Sequence, residues 1–394
     1  MAIMLYVGNL RYRVNHAELD ALFAPFGKVK SARVTIDRDA GGFGLVEMSS
    51  PEEGRSAIEG LHHKDVGGRK LVVEDTEFLK QLDGMTKLEE RCYFRDYAER
   101  LYTGQGEMVD LGCWLGATTI PLAIGLRQNP LPQAQSRIIR AYDTFVWYEF
   151  YEQFIHGTPL AGRLRTGESF VDEVQRRTAP WKERIQIVVG DLHQQIWSGE
   201  PVEFLLIDAM KDWWMANSIP RQFFPSLIPG LSIVVQQDFS FYGSPWIHLL
   251  MYRLREYFEP VDDVPESSSM VFRLRRPIPD AVLQQELSFA TFSTLQIDEA
   301  FAYSRSLVAK AKYPAIEAAR IMTFVDAKQL DRAKEMLRQY EEQGGAMNCW
   351  DIDGLRQAID PALAPSAPNL GRLTTLYRRW RGRLSRIKQW LKRA

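Results

Sequence analysis

The chain is poor in cysteine, has no long apolar run and shows no excess of either charge. Its three cysteines, Cys92, Cys113 and Cys349, are scattered over 394 residues. So few and odd in number, they exclude a disulfide framework and a cysteine-rich zinc site. They suit a reducing, cytoplasmic setting. No uninterrupted apolar stretch reaches ~18 residues, so no membrane-spanning helix is expected. The first residues lack the basic-then-apolar pattern of a secretory signal. Lys plus Arg number 49 and Asp plus Glu 50, a net charge of −1. That excludes a globally basic nucleic-acid binder and leaves a local basic patch open. No repeat recurs at a fixed period.

What is present is an ordinary globular composition, 45% apolar and 25% charged, long enough for two or three domains. The pattern divides into four. Residues 1–78 alternate short strands and helices, and residues 79–280 do so on a larger scale. Residues 281–360 turn helical, for example with Leu330, Ala333 and Leu337 on one stripe. Residues 361–394 open on a Pro/Ala/Ser stretch and end in a basic amphipathic segment. Residues 371–394 hold nine Lys or Arg and no acid, interleaved with Leu376, Trp380, Leu384 and Leu391. Such a segment suits an anionic membrane surface or nucleic-acid phosphates, or is simply a solvated tail.

In the first part, Leu5-Tyr-Val-Gly-Asn-Leu10 reads as a strand. Asn15 with Glu18, and Ser50 with Glu53, each form a capping box that starts a helix. Strands at 29–36, 43–48 and 71–73 complete a βαββαβ order. This part resembles the RNA recognition motif family (α+β, ferredoxin-like), in particular its short bacterial single-motif type. Leu5–Leu10 matches its second signature and Gly41-Gly-Phe-Gly-Leu-Val-Glu-Met48 its first. The resemblance implies single-stranded RNA as partner. Its contacts would fall on Tyr6, Phe43 and Asn9, and on Leu45, where the family usually carries a third aromatic. Gly41 stands where the family has Lys or Arg. Tyr6 and Phe43 would lie side by side on an open sheet face, where aromatic rings stack unpaired bases. The other reading is that this face meets a protein surface. Residues 1–78 carry 10 basic and 12 acidic side chains, so the general attraction for phosphates is absent.

The second part has a helix expected over 86–102, capped by Thr86 and Glu89, and then Asp110-Leu-Gly-Cys-Trp-Leu-Gly116, a strand running into a glycine-bearing turn. Further strands end in Asp143, in Gly190-Asp191, in Asp208 and in Asp238. Ligands of open α/β sheets bind at such carboxyl ends. This part resembles the class I S-adenosylmethionine-dependent methyltransferases, in particular the macrocin-type sugar O-methyltransferases. It shares their Gly-x-Trp-x-Gly core (Gly112, Trp114, Gly116) and a Pro225-Ser-Leu-Ile-Pro-Gly230 turn. The implied fold is a Rossmann-like, doubly wound sheet, so the whole chain reads as an α/β multidomain protein with a helical C-terminal region. The implied cofactor is S-adenosylmethionine, held by Asp110, Gly112, Trp114, Gly116, Asp143 and Asp191.

The family also places a divalent ion, Mg2+ by its oxygen ligands, at positions held here by Asp208, Gln237 and Asp238. Its candidate base position holds Met210, leaving Asp208, Lys211 and Asp212 as the acid–base candidates. His156, His193 and His248 are others. Trp213 and Trp214 follow the fourth strand and suit either core packing or a stacking platform. The acceptor implied is a sugar or glycan hydroxyl, or RNA. The competing reading is a non-catalytic RNA-binding or adaptor protein with a degenerate transferase fold.

Overall fold

The computed structural model describes residues 2–10, 14–37, 41–155 and 157–360. His156 and the basic segment of 361–394 lie outside the described residues. Among the described residues no helix is long and apolar enough to cross a membrane.

The N-terminal unit runs β1 (Ile3–Leu10), α1 (His16–Phe23), β2 (Val29–Asp37), β3 (Gly41–Met48), α2 (Pro51–Leu61) and β4 (Val72–Asp75). Its sheet order is β2-β3-β1-β4, antiparallel throughout. Both helices start where the spacing predicts, at the Asn15–Glu18 and Ser50–Glu53 capping boxes. Alternation along β1 sends Leu5 and Val7 into a core with Leu19, Phe23, Val46, Ala57 and Val73. Tyr6 therefore points to the opposite face.

Two helices follow, α3 (Glu77–Lys80) and α4 (Leu88–Asp96), the latter widening into a π turn over Tyr97–Leu101. The cap of α4 differs from the expected one. Lys87 is the cap residue, and its backbone N–H donates to Glu90 at 2.7 Å. Thr86 instead accepts from Arg91 Nε.

The larger sheet contains β5 (Glu107–Leu111), β6 (Ile139–Asp143), β7 (Ile185–Val189), β8 (Val202–Ile207), β9 (Ile233–Gln236), β10 (Phe258–Asp263) and β11 (Met270–Leu274). Their order is β10-β11-β9-β8-β5-β6-β7. Strands β5 to β9 are parallel, and β11 is antiparallel to both its neighbours. The helices around it are α5 (Thr119–Gln128), α6 (Pro132–Gln135), α7 (Val171–Thr178), α8 (Trp213–Phe223) and α9 (Pro245–Arg253). The chain moves outward from β5 through β7, then returns to β8 on the other flank of β5. The strand order reverses between β5 and β8, and an open sheet offers its ligand crevice at such a reversal.

Helix α5 seats directly on α4. A Cβ added at Gly125 would lie 2.2 Å from the Arg95 carbonyl oxygen, so the two backbones touch and α4 is held firmly to the larger unit. The remaining helices are α10 (Asp280–Leu283), α11 (Thr294–Leu307), α12 (Tyr313–Asp326), α13 (Leu330–Glu342) and α14 (Trp350–Ile359). They share one core with β8, β9, α8 and α9. On α13, Ala333 is buried while Leu330 is exposed, so the expected stripe is only partly covered.

Candidate ligand crevice and the covered sheet

Tyr6 and Leu45 sit opposite each other on β1 and β3. The Tyr6 and Phe43 rings stack at 5.7 Å, so the aromatic pair exists as the sequence suggests. Its setting does not match the expectation of an open face. Tyr6, Phe43 and Leu45 retain 0%, 2% and 3% of their exposure, packed in one core with Tyr93, Phe94 and Tyr97 of the following helix.

The polar contacts are as specific as the apolar ones. The Tyr6 hydroxyl donates to Asp96, which also pairs with Arg100. The Arg95 guanidinium lies 4.8 Å over the Tyr6 ring and pairs with Glu74 of β4. Arg33 of β2 meets Glu89 at 3.2 Å. Burial first, and then the charge of Asp96, push the Tyr6 phenol well above its ordinary range. Asn9 takes a left-handed φ of 59° and donates to the Lys70 carbonyl at 2.9 Å; its side chain thus ties the end of β1 to the segment leading into β4. Full burial of three such side chains is worth ~1.5–3 kcal/mol each, so the two units are docked.

The larger unit places its acids at the reversal point. Gly112 and Gly116 have φ of +97° and +86°, the left-handed region that favours glycine. A Cβ on Gly112 would stand 3.0 Å from the Asp208 carbonyl, so this turn closes directly against the end of β8. Asp110, at the end of β5, is fully buried. Its Oδ2 accepts from the Thr118 and Thr119 hydroxyls at 2.7 and 2.6 Å, and its Oδ1 is buried with no hydrogen-bond partner among the described residues. Burial pushes this carboxyl up to about 6.

Asp143, at the end of β6, accepts from the Trp114 and Phe145 backbone N–H groups at 3.0 and 2.9 Å. Trp114 is buried, 6.2 Å from Trp147 and 5.0 Å from Tyr151 between ring centroids. No sequence motif marks Tyr151. It packs on Trp114 and lies within electrostatic reach of Asp143, Lys211 and Asp208. Asp191 is farther out, accepting from the His193 backbone at 2.9 Å.

At the ends of β8 and β9 the expected magnesium ligands are already engaged. Lys211 Nζ donates to Asp208 Oδ1 at 2.6 Å and to Asp238 Oδ2 at 2.5 Å. With the Gln237 amide turned to satisfy its surroundings, its nitrogen donates to Asp238 and Asp208 at 2.8 and 3.0 Å. Gln237 thus offers a donor where a metal needs an oxygen. Among the described residues no group of three or more His, Cys, Asp or Glu side chains could hold a metal ion. As they stand, Asp208, Gln237 and Asp238 do not fit magnesium.

Burial pushes the Asp208 carboxyl up to about 7 even against the pull of Lys211. The two carboxylates hold the Lys211 ammonium well above its ordinary value although burial opposes them. A clamped ammonium of this kind is a poor general base. Asp212 is not aimed at the crevice: it caps α8, accepting from the Met215 N–H at 2.8 Å. Met210 is buried and its carbonyl accepts from Trp246. His248 is fully buried between Phe239 and Phe301, and burial lowers its pKa to about 3; it is a neutral core residue. His193 lies tilted against Trp214 with ring centroids 3.5 Å apart, while Trp213 packs edge-on against Trp246.

Residues 5–72 match the family profile described as RNA recognition motif. Over 72 residues the chain is 46% identical to a putative RNA-binding protein, RbpB, of Nostoc sp., covering 18% of this chain and 70% of that one. Over 76 residues it is 46% identical to the 29 kDa chloroplastic ribonucleoprotein of Arabidopsis thaliana, covering 18% of this chain and 22% of that one. Among solved structures, the crystal structure of RNA Binding Protein PG1 is 46% identical over 18% of this chain and 92% of that chain, with a TM-score of 0.17. The matched segment spans 22% to 28% of the chloroplast ribonucleoproteins. The N-terminal domain of this chain is an RNA recognition motif, with relatives among cyanobacterial and chloroplast RNA-binding proteins.

Proposed function

We propose that this chain is an RNA-binding protein joined to an S-adenosylmethionine-dependent transferase-type domain, and that RNA engages the recognition sheet only when the two units part. The RNA half draws on the RNA recognition motif and on the stacked Tyr6–Phe43 pair. Closure is worth roughly 4.5–9 kcal/mol by the burial of Tyr6, Phe43 and Leu45. Two bases stacked on two rings return roughly 2–6 kcal/mol. The closed form therefore dominates, and RNA binding is weakened by the cost of opening.

The cofactor half is carried chiefly by the β5–α5 turn: Gly112 closed against Asp208, with Asp143 beside it and the unpartnered oxygen of Asp110 beneath. A buried carboxylate oxygen without a donor suits an ammonium, and an acid at the end of the second strand of such a sheet suits ribose hydroxyls. The sheet order supports the same reading. Asp110, Gly112 and Gly116 would hold the amino-acid end, and Asp143 the ribose. The cofactor would supply an electrophilic methyl group. Trp114 and Tyr151 exclude water from the crevice, and the acceptor is a hydroxyl of a glycan or of RNA.

Calorimetric titration of the full chain with S-adenosylmethionine tests this reading. Micromolar binding, weakened about tenfold or more in Asp143→Ala by loss of charged hydrogen bonds, is the expected result. No heat of binding to a folded chain would overturn it and leave an RNA-binding protein with a degenerate transferase fold.

A further inference from the structure

Two carboxylates on neighbouring strand ends repel each other unless a cation lies between them. Here Asp208 and Asp238 are bridged by Lys211. The bridge is built locally: the Lys211 N–H donates to the Ala209 carbonyl at 2.9 Å, a tight turn that brings the side chain back over the strand it has just left. With its amide turned, Gln237 completes the arrangement by donating to both acids. Every one of these contacts presents N–H to oxygen, whereas magnesium needs near-octahedral oxygen donors.

We propose that Lys211 is the resident cation of this crevice, standing where a divalent ion would otherwise be held, so that the chemistry of the crevice runs without a metal. The substitution changes what the site can do. An ammonium does not act as a Lewis acid that lowers the pKa of a bound hydroxyl. Here two carboxylates are set against one ammonium, a centre with no surplus positive charge. The acceptor suited to such a site is one whose hydroxyl is already acidic. The assignment of Lys211 does not depend on whether S-adenosylmethionine binds.

The test is Mn2+ binding to the full chain, read by electron paramagnetic resonance, with no cofactor or acceptor present. The unaltered chain is expected to show no saturable binding at millimolar Mn2+. Lys211→Ala frees the two carboxylates and lets the Gln237 amide turn its oxygen inward. It should bind one Mn2+ at least tenfold more tightly, and Lys211→Ala combined with Asp238→Asn should lose that site. Lys211→Arg, which keeps a cation, should behave as the unaltered chain. Lys211→Met serves in the same comparison if the alanine variant does not fold. Tight Mn2+ binding by the unaltered chain that Asp238→Asn abolishes would overturn the assignment. So would a folded Lys211→Ala, judged by its melting curve, that binds no Mn2+.

Discussion

Arg95→Glu in the full chain is expected to bind a short single-stranded RNA roughly thirty- to a hundredfold more tightly than the unaltered protein. Arg95 is the ionic hinge pin of the closed sheet. It lies over the Tyr6 ring, pairs with Glu74 across the junction and stays within 3.7 Å of Glu99 on its own helix. Reversing its charge sets a third carboxylate beside Glu74 and Glu99 and leaves Arg100, already paired with Asp96, as the nearby cation. Breaking a fully buried pair costs ~3–5 kcal/mol; Glu74 is one-third exposed, so we discount this to roughly 2–3 kcal/mol. Closure is worth more than that, so the closed form still dominates in the variant. Apparent affinity then rises in proportion to the open fraction, at about tenfold per 1.4 kcal/mol. Fluorescence anisotropy with labelled oligonucleotides measures it.

Two controls make the result specific. Glu74→Lys opens the same junction from the other side and leaves α4 untouched, so it separates opening from damage to the helix. Tyr6→Ala in the opened background should remove the gain, because stacking on that ring is what opening exposes. If X-ray scattering shows the units apart and RNA affinity is unchanged, the gating reading is wrong.

The aromatic pair of the sheet was legible because strand alternation alone puts Tyr6 and Phe43 on one face. Its covering was not, and α4 shows why. Glu90, Arg91, Arg95 and Asp96 are all buried, yet each is charged and reads in isolation as solvent-facing. Their partners, Glu74 and Tyr6 for Arg95 and Asp96, lie on another unit 21 and 90 residues away. Glu89 misled in the same way: it looks like a capping acid for Thr86 and instead meets Arg33. At the crevice, strand-end acids were legible because parallel strands present their last residues at one edge. The bridging role of Lys211 was not. Its neighbour Asp208 is three residues off, but Asp238 is 27 away, and only the sheet register brings them together.

Asp110→Asn is expected to stabilise the fold and weaken the ligand at once. The folded-state carboxyl sits at about 6, against an ordinary value of 3.8. Between those values the native state binds more proton than the unfolded chain, so stability falls as pH rises through this window. Above pH 6 the full cost is present, about 3 kcal/mol at 1.36 kcal/mol per unit. Asparagine keeps an oxygen for the Thr118 and Thr119 hydroxyls and carries no charge to bury. Chemical denaturation at pH 8 should therefore show a gain of roughly 2 kcal/mol, shrinking towards zero near pH 4. Among the described residues nothing answers the second oxygen of Asp110, and on the proposed reading this oxygen takes the ammonium of the cofactor. S-adenosylmethionine affinity should then fall about tenfold or more in the same variant. A variant that gains stability and binds the cofactor unchanged would remove Asp110 from the site. One that gains no stability at pH 8 would show that the carboxyl is not the burden its burial implies.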